Sequence, residues 1–210
     1  MNFKFKKSMK TKFYAMLLTA AITMILTGCA KYPENEVQTA QNAIEKAQSA
    51  GAEMYAKDQF SALQDSLDNA LLVLEQEKSK WFSNYTESLT QLTAINSMAE
   101  TVVTNTELRK SEIREEIQNT LTQIQNLLAE NNQLIVNAPK GKEGSEALTQ
   151  IKEELSVVQT AVDEASKMLA SGELVATQDK VNTAYQKASS INAELKEVMA
   201  KYSQARSRRG

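Results

Sequence analysis

Apolar residues recur at helical spacing through most of this chain. From Val37 they fall at Ala40, Ala43, Ile44, Ala47 and Ala50, the three-and-four rhythm of one helix face. Gly51 marks a stop, and Asp58 is placed to cap the next start. From Ala52 to Ala138 there is neither glycine nor proline. The stripe there runs Phe60, Leu63, Leu67, Leu71, Leu74, Trp81, Phe82, Tyr85, Leu89, Leu92, Ile95, Met98 and Val102, then Ile113, Ile117, Leu121, Ile124, Leu128 and Ile135. An unbroken helix of about 80 residues would measure roughly 120 Å at 1.5 Å per residue. "TELRKSEIREE" interrupts the stripe with charge. It pairs opposite signs three apart (Glu107 with Lys110, Arg109 with Glu112) and like signs four apart (Lys110 with Arg114, Glu112 with Glu116), a place where a bend could fall.

"NAPKGKEGS", Asn137 to Ser145, carries one proline and two glycines and reads as a loop, with Ser145 as the N-cap of the next helix. Regular heptads then take over at Leu148, Ile151, Leu155, Val158, Val162, Ala165 and Leu169. Ser171-Gly172 breaks them, and Leu174, Val181, Ala184, Ala188, Ile191, Leu195, Val198 and Tyr202 form a last helix. Short breaks make neighbouring helices antiparallel. The expected fold is all-α: an elongated antiparallel hairpin and bundle with coiled-coil-like packing and one very long helix. Residues 35–110 would form a helical hairpin and residues 111–205 a three-helix bundle sharing the long helix. "AIEKA" (Ala43–Ala47) and "AVDEA" (Ala161–Ala165) echo each other, but two copies define no repeat period.

Composition narrows the chemistry. The 210 residues include no histidine and one cysteine, so the commonest general base is absent and no internal disulfide can form. No Gly-rich phosphate loop, nucleophile elbow or metal-spaced cluster occurs. The chain is therefore expected to be no enzyme and to need no cofactor or metal.

Charge is distributed unevenly. Residues 1–28 hold Lys4, Lys6, Lys7, Lys10 and Lys12 and no acid; without them 19 basic residues face 26 acidic ones, a formal −7. That balance argues against nucleic acid as a partner. The lysines precede an apolar run, Phe13 to Leu26, of about 14 residues, short of the roughly 20 that a membrane span needs. The layout is that of a secretory signal over residues 1–28.

Leu26-Thr27-Gly28-Cys29, at the end of that run, resembles the lipobox of bacterial lipoproteins. The resemblance implies cleavage between Gly28 and Cys29, diacylglycerol on the Cys29 thiol, and residues 29–34 as a tether. Acyl chains contribute about 0.8 kcal/mol per buried methylene, so two or three hold a soluble body at a bilayer. Ala30 after the cysteine implies the outer membrane, facing the periplasm, in a Gram-negative source. The stretch "AQNAIEKAQSAGAEMYAKDQFSALQDSLDNA", Ala40 to Ala70, resembles the helical-hairpin lipoproteins grouped as domain of unknown function 4398. The matching positions are Ala40, Ala43, Ile44, Ala47, Gly51, Ala52, Tyr55, Ala56, Leu63 and Ala70; Lys57 stands where many members carry proline. This likeness implies a helical hairpin and an envelope location, and no activity.

Two groups are candidate contacts. Trp81, Phe82 and Tyr85 suit a membrane–water interface or a protein partner, although large rings at helical spacing usually serve burial. Lys140, Lys142, Arg206, Arg208 and Arg209 could hold anionic headgroups or the acidic peptides of peptidoglycan, against the plainer reading of 206–210 as a solvated basic tail. The leading expectation is a cell-envelope spacer or docking scaffold, held to the membrane through Cys29. An exposed apolar stripe near residues 89–106 would receive a protein partner or a second copy. The alternatives are a lipid or small-ligand carrier with a cavity between helices, and a wall-modifying enzyme using paired carboxylates.

Overall fold

The computed structural model describes residues 31–138 and 142–208. Residues 1–30, with the signal and Cys29, lie outside them. Among the described residues there are six helices and no strand: α1 (Glu34–Ser49), α2 (Ala52–Tyr55), α3 (Lys57–Lys78), α4 (Thr86–Asn137), α5 (Lys142–Ser171) and α6 (Leu174–Ser207). The chain divides into two units between Glu107 and Leu108, inside α4.

In the first unit α1 and α3 reverse direction around Gly51, which takes a left-handed φ of 91° and donates its N–H to the Gln48 carbonyl at 2.8 Å. Only glycine adopts that backbone without a steric penalty. Asp58 plays no part as a cap: Ala56 stands at the cap position of α3 and no side chain bonds there. At residues 79–85 the chain turns again, where an unbroken helix from Ala52 to Ala138 was one expectation. The first half of α4 then runs antiparallel to α3, so that Asn105 Nδ2 donates to Gln59 Oε1 at 2.8 Å. One core results, from Ala40, Ile44 and Ala47 of α1, Phe60, Leu63, Ala70 and Leu74 of α3, and Leu92, Ile95, Ala99 and Val102 of α4. Two of α1's three buried positions are alanine, which lets the backbones approach closely. Leu63 and Leu74, fully buried, each contribute about 1.5–3 kcal/mol relative to exposure.

This core corrects the expectation of an exposed stripe near residues 89–106. Leu92, Ile95, Ala99 and Val102 are all at most 4% accessible, and only Leu89 and Met98 remain at the edge. The reason is the turn at 79–85: by reversing the chain it lays α4 over the apolar faces of α1 and α3.

The second unit is built from α4 after Leu108, α5 and α6. Gly172 (φ 86°) closes α5, with Glu173 N–H reaching Met168 O at 3.1 Å and Gly172 N–H reaching Leu169 O at 3.2 Å, the paired bonds of a Schellman cap. Helices α5 and α6 are antiparallel, joined on their outer edges by Lys180–Glu164 (2.5 Å) and Lys187–Glu154 (2.9 Å). Helix α6 runs parallel to α4, with Gln178 donating to Glu116 at 2.6 Å and Lys196 paired to Glu130 at 2.8 Å. Between them lies a buried polar pair. Asn131, fully buried, donates to the Ala188 carbonyl at 3.0 Å and accepts from Asn192 at 2.8 Å, amid Ile124, Leu128, Ile191 and Leu195.

The charged stretch around Arg109 produces no break, since α4 is continuous through it. Arg109 donates to Glu112 at 3.0 Å and Glu116 at 3.3 Å; the Glu112 bond, before any other influence, raises the guanidinium's affinity for its proton. Threonine is a modest helix former because its hydroxyl competes for backbone groups. In α4 that competition is resolved locally: Thr90, Thr93, Thr101, Thr104, Thr106, Thr120 and Thr122 each donate to the carbonyl four residues earlier. Ser145, expected as an N-cap, lies inside α5, where its carbonyl accepts the Thr149 hydroxyl at 2.9 Å.

Candidate functional site

The turn between α3 and α4 is made without glycine or proline, from Ser79-Lys80-Trp81-Phe82-Ser83-Asn84-Tyr85. Its closure is polar. Ser79 N–H bonds back to Glu75 O at 3.2 Å, and Lys80 N–H to Glu77 O at 3.1 Å. The partly shielded Glu77 carboxylate then spans the turn, taking the Lys80 ammonium on one oxygen and the Asn84 backbone N–H on the other at 3.3 Å. Those two bonds, Lys80 first, hold its carboxyl below the usual range. Asn84 Oδ1 accepts Thr86 N–H at 3.1 Å and so launches α4.

This closure separates the three rings. Tyr85 is buried, at 6% exposure, whereas Trp81 is 90% exposed and Phe82 73% exposed. Tyr85 packs in the core, as the burial reading expects, and presents no exposed ring. Trp81 and Phe82 depart from that reading and stand in solvent, because they occupy the crest of a turn and not a helix face.

Helix α1 starts beside the same turn. The Tyr32 ring meets Tyr85 edge to face, with centroids 5.7 Å apart at 79°, and Lys78 Nζ lies 5.2 Å from the Tyr32 centroid. Both are favourable arrangements for a ring with a negative face and positive edge. Pro33 is buried, and its carbonyl accepts Val37 N–H at 3.1 Å to begin α1. An open cavity of about 200 Å³ is lined by Lys31, Tyr32, Pro33, Glu34, Asn35, Glu36 and Leu89. Residues 31–33 thus meet the folded body at the foot of the aromatic turn.

The second candidate group is only partly described. Arg208, exposed, follows α6 with its N–H on Gln204 O at 3.2 Å. Lys140 and Arg209 lie outside the described residues, as do the side chains of Lys142 and Arg206. Among the described residues no group of acidic, cysteine or histidine side chains is arranged to hold a metal ion, and no helix is long and apolar enough to cross a membrane. Sequence reasoning missed the clasp between Tyr32 and Tyr85. Its one visible signal was an aromatic residue directly before Pro33-Glu34, the proline and acid that open a helix.

No family model, curated protein or solved structure matches this chain.

Proposed function

We propose that this chain is a non-enzymatic lipoprotein of the cell envelope, anchored by acyl chains on Cys29 and serving as a helical spacer or docking scaffold. In a Gram-negative source it would sit in the outer membrane and face the periplasm. The observation that carries the reading is Leu26-Thr27-Gly28-Cys29 at the end of a lysine-rich, apolar leader. The body suits such a role: its helices close over apolar cores, and its outer edges carry ion pairs typical of solvated surfaces. The likeness of Ala40–Ala70 to domain of unknown function 4398 points to the same compartment. The cavity at Lys31–Glu36 is open and smaller than the roughly 300–1,000 Å³ usual for small-molecule sites, so it lends the carrier reading no support.

The test is intact mass and membrane fractionation of the native protein beside Cys29→Ala. The expected result is acyl mass on a chain beginning at Cys29, with membrane association lost in the variant. A full-length, unacylated chain would overturn the anchor. Photocrosslinkers at the exposed Leu72 and Val157 positions test the docking role in cells, where adducts at neither site would leave only the spacer.

A further inference from the structure

We infer that the crest of the α3–α4 turn, Trp81 and Phe82, docks into the interfacial layer of the same bilayer that holds the lipid anchor. The inference rests on the proposed acylation of Cys29, and three observations carry it. The first is reach. Tyr32 lies three residues after Cys29, at most about 11 Å of extended chain. Tyr32 is held by Tyr85 on one side of the turn and Lys78 on the other, so the turn is pinned at both ends to the tether's point of entry. Trp81 and Phe82 cannot move far from a membrane that holds Cys29.

The second is exposure. Two adjacent rings at 90% and 73% accessibility leave apolar surface in water that an interface would cover, and an indole places its ring among acyl carbons while its N–H stays hydrated. The third is size. Two rings supply about 400 Å² even if fully covered, half of the roughly 800 Å² per partner in a stable protein interface. A bilayer needs no such area here, because the anchor already makes the second contact intramolecular. Charge contributes little: Lys31, Lys78 and Lys80 are matched by Glu34, Glu36, Glu75 and Glu77. The docking is therefore apolar and insensitive to salt.

Trp81 is the only tryptophan in the chain, so its emission reports on this site alone. The experiment uses native acylated protein, its acyl mass verified, in phosphatidylethanolamine–phosphatidylglycerol vesicles with acyl chains brominated near the headgroup. Docking predicts blue-shifted emission, quenching by the bromolipid relative to the unbrominated lipid, persistence in high salt, and weaker quenching in Phe82→Ser. Water-like, unquenched emission from acylated protein would overturn the docking and leave the anchor intact. Blue-shifted emission without bromine quenching would overturn it in favour of a protein covering the rings. If the acyl-mass check instead finds the native protein unmodified at Cys29, the anchor and the inference fall together.

Discussion

Replacing Asn131 by leucine tests how the second unit fixes its register. Asn131 is fully buried and makes two bonds, to the Ala188 carbonyl at 3.0 Å and from Asn192 at 2.8 Å. Each such bond contributes about 1 kcal/mol net, and a stranded buried donor costs about 1–3 kcal/mol. Leucine keeps the branched four-heavy-atom skeleton but is larger; its added apolar burial offsets part of the lost bonding, so the expected loss is about 2 kcal/mol. In a unit of this size that lowers Tm by roughly 8–16 °C. Replacing both Asn131 and Asn192 by leucine leaves no stranded amide, and stability returns to near or above the original value. Thermal and urea denaturation followed by far-UV circular dichroism on the four members of this cycle give the coupling directly, expected at about 1 kcal/mol or more. The physical role comes from geometry. Sliding α6 along α4 by one turn, about 5.4 Å, breaks both bonds while still pairing apolar residues, so the amides select among registers that leucines alone would leave close in energy. A stable Asn131→Leu single variant with zero coupling to Asn192 would refute this account.

Four further outcomes are expected. Glu77, Glu130, Glu164 and Glu197 are each held below the usual carboxylate range, chiefly by bonds from Lys80, Lys196, Lys180 and Lys201. Their contribution is complete above the unfolded value of about 4.3 and is lost as pH falls through the depressed folded values. With no histidine, Tm should stay flat from about pH 5.5 to 8 and fall only below about pH 4.5, and a step near pH 6.5 would contradict this. At Gly172 no atom lies within 4 Å of a would-be Cβ, so Gly172→Ala should cost only the left-handed backbone, about 1–2 kcal/mol, and Gly172→Asn less, both read by urea denaturation. Ala47→Leu places a large side chain at a fully buried contact and should cost about 1–3 kcal/mol in urea denaturation; a neutral result would mean that α1 is loosely packed. Ser88 Oγ is buried with no hydrogen-bond partner, so Ser88→Ala should leave stability unchanged or raise it by about 1 kcal/mol, and a loss would reveal a bond to an ordered water.

Periodicity made most of the helices readable. The stripe from Val37 to Ala47 lies on α1 with Ala50 at its C-cap, Gly51 and Gly172 both terminate helices through positive φ, and Asn137 ends α4 where the proline loop begins. The turn at 79–85 was hidden because Trp81, Phe82 and Tyr85 fall at a spacing that a helix also produces, and because Glu77 and Asn84 close it with side chains instead of glycine or proline. That one turn decided which apolar residues of 89–106 face inward. The Asn131 pair was legible in principle, since Asn131 lies between Leu128 and Ile135 on the stripe. Its partner is 61 residues away, and no local pattern reports such a distance. Of the candidate site, sequence supplied the rings; only packing could distinguish the buried Tyr85 from the exposed pair.

The threonines of α4 give its surface a chemical polarity. A hydroxyl has a single proton, and at these seven positions it is committed to the helix's own carbonyl, leaving lone pairs outward. Most of these side chains are exposed, so along much of its length α4 offers water or a neighbour oxygen acceptors where the residue names alone suggest donors. Groups that bring protons, such as ammonium, guanidinium or amide N–H, can bond to these hydroxyls, whereas donors for a phosphate or carboxylate must come from other side chains of the helix, such as Arg114 and Asn119.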